Sequence, residues 1–268
     1  METIDKRLLV KFGTDSLTGE NGELCQEYFN DIGRQVSILI DSSWQVVIVS
    51  SGAGLAGRIQ ARKIRGSVDG ISDQSFTTCG QYVMMAMWQA AFTPFGHLVG
   101  QVLISQADLD YEKGSLNEMR NCLRVLPEEG FVAVANENDA ISPFGVKQAR
   151  EKKENDYLMY RISQQFVASR VLAVTSVGGV FEADPRHCPG ARMYRELDCE
   201  NLPVSVTDAT SKSPNGTGGI ANKATIAAKC SCQGQVTAIS GWQNNAIIRF
   251  TRGESVGTLL GGQNRFWE

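Results

Sequence analysis

Two lysines set among glycines lie near opposite ends of the chain. Lys11 sits in LLVKFGTDSLTG, straight after an apolar stretch, and Lys223 in GTGGIANK, at the start of a predicted helix. Glycine lets backbone N–H groups approach an anion closely, and a helix N-terminus adds a favourable field. A lysine at each loop supplies the charge that steadies a transferring phosphoryl group. A lysine early in a helix is unfavourable for the helix dipole, and a bound anion would compensate it. GTGGIANK is no Walker loop, because G-x-x-x-x-G-K-[ST] is absent.

Polar motifs lie between the two lysines. SSGAGLAG, from Ser50 to Gly57, contains a literal G-x-G-x-x-G. As a dinucleotide fingerprint it would need a helix, a strand and an acidic residue about 20 positions on. RIQARKIRGSVDGIS offers no strand before Asp69 or Asp73. A small-anion or carboxylate site at Ser51 and Gly52 is preferred, with a tight packing turn as the plain alternative. A nicotinamide-dependent oxidoreductase using Gly52, Gly54 and Gly57 stays as a third reading. NENDA, from Asn136, places amides and carboxylates together, and Asp139 could pair with a substrate ammonium. In ENDYL, Asn155 and Asp156 open a helix, where either could simply be a cap. The functional reading sets Asp156 between Lys11 and Lys223, offsetting their repulsion. TSVGGVFEADPR suits nucleotide contact and ordinary turn chemistry about equally.

The elements that must position these residues alternate. Strands are predicted at 7–11, 45–50, 99–104, 131–135, 171–175 and 235–240. Helices are predicted at 24–40, 74–91, 116–125, 156–168 and 219–229, and 246–250 closes the series. Continuous apolar strands with helical crossovers imply a largely parallel sheet covered on both faces, a three-layer αβα sandwich. In such sheets ligands bind beyond the carboxyl ends of the strands. KFGT, SSGAG, NEND and TSVGG all begin at strand ends.

Composition excludes several classes. With 268 residues, 42% of them hydrophobic, the chain can bury a substantial core. A net charge of -3 without a basic run argues against nucleic acid. Two histidines leave little for a histidine metal site or a Ser-His-Asp hydrolase. Seven scattered cysteines read as reduced and mostly buried, in a cytoplasmic protein. The charged N-terminus is no signal peptide, and the apolar region from Val83 to Val102 is broken by Pro94 and Gly96, so no membrane span is expected.

In this order the motifs resemble the amino-acid kinase family, most closely its glutamate 5-kinase branch. K-x-G-T, S-S-G-A, N-E-N-D-A, N-D-x-L, G-G-x-(Y/F)-x-x-D-P-R and G-T-G-G-(M/I)-x-x-K run through nearly the whole chain. The resemblance implies the carbamate kinase-like fold and phosphorylation of the γ-carboxylate of L-glutamate by ATP with Mg²⁺, the first step of proline synthesis. It gives Lys11, Lys223 and Asp156 the catalytic roles. Ser51, Gly52, Asp139 and Asn155 would hold glutamate. Lys11, Gly13, Thr175, Ser176, Gly216, Thr217, Gly218, Gly219 and Lys223 would meet ATP, with no metal site in the protein itself. It further implies proline feedback, a dimer or tetramer, and coupling to glutamyl phosphate reductase. The expected layout is one kinase domain over 1–260, a tail over 261–268 and no PUA domain. The chain departs from the family at Lys153-Glu154, Ser176 and Asn222. Those departures support an alternative, a family member that binds nucleotide or amino acid for regulation.

Overall fold

RLLVKF and QVVIVS are apolar at odd and even positions alike, so both faces of these strands need cover. The computed structural model describes residues 5–105, 108, 109, 115–141, 155–207 and 219–261. Among them, eight strands form one sheet: β1 (Arg7–Phe12), β2 (Gln45–Ser50), β3 (Val99–Ile104), β4 (Val132–Glu137), β5 (Arg170–Val174), β6 (Glu196–Asp198), β7 (Val236–Ser240) and β8 (Thr258–Gly261). Their order is β3-β4-β2-β1-β5-β7-β8-β6, and every neighbouring pair is parallel except β7 with β8.

The helices are α1 (Gln26–Asp41), α2 (Ala53–Arg65), α3 (Asp73–Phe92), α4 (Ser115–Glu128), α5 (Asn155–Gln165), α6 (Val204–Thr207), α7 (Ile220–Cys232) and α8 (Ala246–Thr251). Strand parity sorts them into two layers. Leu8, Val10 and Phe12 point into a core with Phe29 and Ile32 of α1, Trp88 of α3 and Ile247 of α8. Leu9 points the other way, into a core with Leu123 of α4, Ile162 of α5 and Ala227 of α7. The αβα sandwich expected from the sequence is what forms. Two short strands at one end of the sheet, β8 and the edge strand β6, were not anticipated.

The chain leaves β2 through two consecutive helices, α2 and α3, before reaching β3, so G-x-G-x-x-G does not open a βαβ unit. Its third glycine has another use. A Cβ on Gly57 would lie 1.9 Å from the Phe76 carbonyl oxygen, and one on Gly80 would lie 1.8 Å from that of Ala53. Here α2 and α3 touch backbone to backbone. Gly80→Ala must push the helices apart, costing about 1–3 kcal/mol. Thermal melts should show a Tm lower by about 3–10 °C, and an unchanged Tm would contradict this packing.

The cysteines need one correction. All are free thiols, and only Cys230 is buried; Cys79, Cys188 and Cys232 are exposed. Among the described residues no helix is long and apolar enough to cross a membrane.

Candidate active site

Parity also decides where Lys11 points. It lies on the Leu9 side of β1, two residues along, and so faces the layer of α5 and α7. Parallel register brings Lys11 beside Val49 of β2 and Ala173 of β5, at the carboxyl edge of the sheet. Asp156 stands in the first turn of α5, where a carboxylate suits the helix dipole. Lys223 stands at the start of α7, its N–H closing the first turn on the Gly219 carbonyl at 3.2 Å.

These three side chains meet. Lys11 Nζ donates to Asp156 Oδ1 in a close ion pair. Lys223 Nζ lies 3.4 Å from Oδ2 of the same carboxylate, and Asn222 Nδ2 donates to that oxygen at 3.5 Å. All three charged residues are buried, with Asp156 only 2% exposed. Burial alone would push the Asp156 carboxyl up, but the Lys11 and Lys223 ammoniums overcome it and hold the carboxyl below its usual range. One carboxylate between two ammoniums leaves the trio with one net positive charge. The first turn of α7 carries no acidic residue. Gly13 opens beside the lysines: a Cβ there would lie 3.9 Å from Lys223 Cε and 4.0 Å from Lys11 Nζ. Such an arrangement can attract an anion and stabilise charge that builds up during its transfer.

A polar cluster adjoins the trio on the β2 and β4 side. Asn155 Nδ2 donates to Ser51 Oγ at 2.9 Å, to Asn136 Oδ1 at 3.0 Å and to the Ser50 carbonyl at 3.2 Å. Its amide therefore ties α5 to two strand ends, a task beyond capping a helix. Asn136 in turn donates to Gln81 Oε1 at 3.2 Å, and Gln81 Nε2 donates to the Glu137 carbonyl at 3.3 Å. Ser50 Oγ accepts from the buried Trp88 indole at 3.0 Å. Gly52 takes a positive φ of 112° just before α2, so the chain can turn from β2 directly into the helix. Asp139 follows β4, and its carbonyl accepts from Gln74 Nε2 at 3.0 Å. Asn136 and Gln81 were not singled out from the sequence. Asn136 opens NENDA and was within reach of that motif, whereas Gln81 lies in a Met-rich helix that reads as core.

On the β5 side, Thr175 is buried and its hydroxyl accepts from the Gly178 N–H at 3.1 Å, which is turn chemistry. Ser176 is exposed. Further along the same loop Arg186 pairs with Asp184 at 2.6 Å and, with burial opposing, holds that carboxyl well below the usual range. Gly219 immediately precedes α7. Gly216, Thr217 and Gly218, like Lys153-Glu154, lie outside the described residues.

The description of the amino acid kinase family matches residues 6–239. A glutamate 5-kinase of Dehalococcoides mccartyi is 33% identical over 254 residues, covering 94% of this chain and 68% of that protein. Glutamate 5-kinases of Pasteurella multocida and Thermus thermophilus are 31% and 32% identical, each covering 97% of this chain and 70% and 69% of their own lengths. The solved UMP kinase of Bacillus anthracis shares the fold, with a TM-score of 0.65 at 19% identity over 96% of each chain. With the family pattern spanning most of the chain and the trio at the edge where this fold binds ligands, the chain belongs to the amino acid kinase family, beside the glutamate 5-kinases within it.

Proposed function

We propose that this chain transfers the γ-phosphoryl group of ATP to the γ-carboxylate of L-glutamate, giving L-glutamyl 5-phosphate, the first step of proline biosynthesis. One observation carries the reading: a buried carboxylate, Asp156, between two buried ammoniums, Lys11 and Lys223, at the carboxyl edge of a parallel sheet. The relatives named as glutamate 5-kinases support the choice of acceptor.

Lys11 and Lys223 hold the transferring phosphoryl group, and Asp156 keeps the two cations together without neutralising both. Ser51, Gly52, Asp139 and Asn155 receive glutamate, and Asn136 supports Asn155 from β4. Gly13, Thr175, Ser176 and residues 216–219 receive ATP. A γ-carboxylate is already ionised at neutral pH, so the attack needs no general base. Mg²⁺ belongs to the proposal as the companion of bound ATP, and it would supply positive charge against the charge that develops during transfer. Residues 1–260 would act as one kinase domain in the cytoplasm, subject to proline feedback, self-associated as a dimer or tetramer and coupled to glutamyl phosphate reductase.

ADP release with ATP and Mg²⁺ tests the proposal against L-glutamate, L-aspartate, N-acetylglutamate and carbamate. Turnover with L-glutamate alone, abolished by EDTA and restored by excess Mg²⁺, is expected. Folded protein that binds ATP and turns over none of the four would favour the regulatory alternative.

A further inference from the structure

Two thiols outside this site face each other at the β8–β6 end of the sheet. Cys199 follows β6, and its N–H donates to the carbonyl of Gly261, the last residue of β8, at 3.0 Å. Cys232 is the last residue of α7, and the adjacent Ser231 hydroxyl donates to the Leu260 carbonyl of β8 at 2.6 Å. Both backbones are thus anchored to the same strand. The Cys232 thiol donates to Cys199 Sγ with the sulfurs 2.7 Å apart, about 0.7 Å beyond the S–S bond length of about 2.05 Å. Cys232 is exposed and Cys199 half-buried, so a small reagent can reach the pair.

We propose that Cys199 and Cys232 are a reversible disulfide site, oxidised by exchange with a low-molecular-weight disulfide of the oxidised glutathione class. Cys199 gives its proton to solvent, and its sulfur attacks one sulfur of the small disulfide and expels the first thiolate. Cys232 then gives its proton to solvent and attacks Cys199 Sγ, which breaks the mixed disulfide and expels the second. Two electrons pass from the two protein thiols to the reagent, which leaves as two thiols. Although Cys232 is exposed as a residue, partial loss of water around its sulfur, the hydrogen bond to Cys199 and the nearby charges of Glu200 and Asp198 push the resting thiol up to about 12. Conversion of Cys199 to the mixed disulfide removes the Cys199 contribution before Cys232 attacks. The bond closes the segment from Cys199 to Cys232, fastening the last turn of the helix whose start carries Lys223. It does not depend on the kinase reading.

The test incubates native protein with oxidised glutathione and follows intact mass, peptide mapping and Tm. Loss of two hydrogens, a Cys199–Cys232 cross-linked peptide and a Tm raised by roughly 5 °C are expected. Dithiothreitol should reverse all three, and Cys199→Ser and Cys232→Ser should each abolish them. A lasting glutathione adduct without the cross-link would overturn the proposal, as would a cross-link through Cys25, Cys79, Cys122 or Cys188 instead. Mapping in the unsubstituted protein decides this even if a variant folds poorly.

Discussion

Lys223→Ala is expected to lower kcat by about 10²–10³-fold, the loss that follows removal of one preorganised charge stabiliser. The fold should survive, because Asp156 keeps its close pair with Lys11. Helix α7 also sheds a cation from its unfavourable end. The change in stability should therefore stay within about 1 kcal/mol. If Lys223 acts on charge that develops during transfer, kcat falls further than KM for ATP rises. Steady-state kinetics beside a thermal melt check both parts. Turnover near that of the unsubstituted enzyme would remove Lys223 from the proposed chemistry.

The second large effect falls on stability as well as rate. Asp156→Asn leaves two buried ammoniums facing each other with no carboxylate between them. Breaking a buried ionic group by removing one partner costs about 3–5 kcal/mol. Activity should fall together with stability, because the lysines lose the group that sets their spacing. The sign of the pH dependence follows from the same geometry. The Asp156 carboxyl is held below the ordinary aspartate value of 3.8 in the folded chain. As pH drops below about 4 the unfolded chain takes up a proton that the folded chain still refuses. The contribution of Asp156 is thus complete at neutral pH and is lost as pH falls through the folded pKa. Urea midpoints at neutral and acidic pH should show Asp156→Asn losing most of its disadvantage in acid. An equal disadvantage at both pH values would mean the ionised carboxylate is not what stabilises the site.

Much of this arrangement can be read from local residues, for reasons that differ by element. The run QVVIVS is β-branched and apolar throughout, and β2 coincides with its prediction. The trio is legible because each member stands at a strand end or helix start, and a parallel sheet gathers such positions although Lys11 and Asp156 are 145 residues apart. TLLG and ELD, by contrast, are too short to carry a period, and β8 owes its existence to antiparallel pairing with β7 and parallel pairing with β6. Gly57 shows the limit of a motif. A glycine needed for close approach looks the same whether a phosphate or the Phe76 carbonyl approaches it. Gln81 carries no local signal, since its importance comes from facing Asn136 across a helix–strand contact. The cysteines misled for a similar reason, because residue type alone does not report depth.

The central claim is that a carboxylate is phosphorylated, and hydroxylamine tests it most directly. An acyl phosphate formed from ATP and L-glutamate is trapped as the γ-hydroxamate, which a phosphate ester or free phosphate cannot give. We predict glutamyl hydroxamate in amounts matching ADP, and none with L-aspartate, N-acetylglutamate or carbamate in place of glutamate. ADP released with L-glutamate but without hydroxamate would contradict the account, since phosphoryl transfer would then end on water or another acceptor.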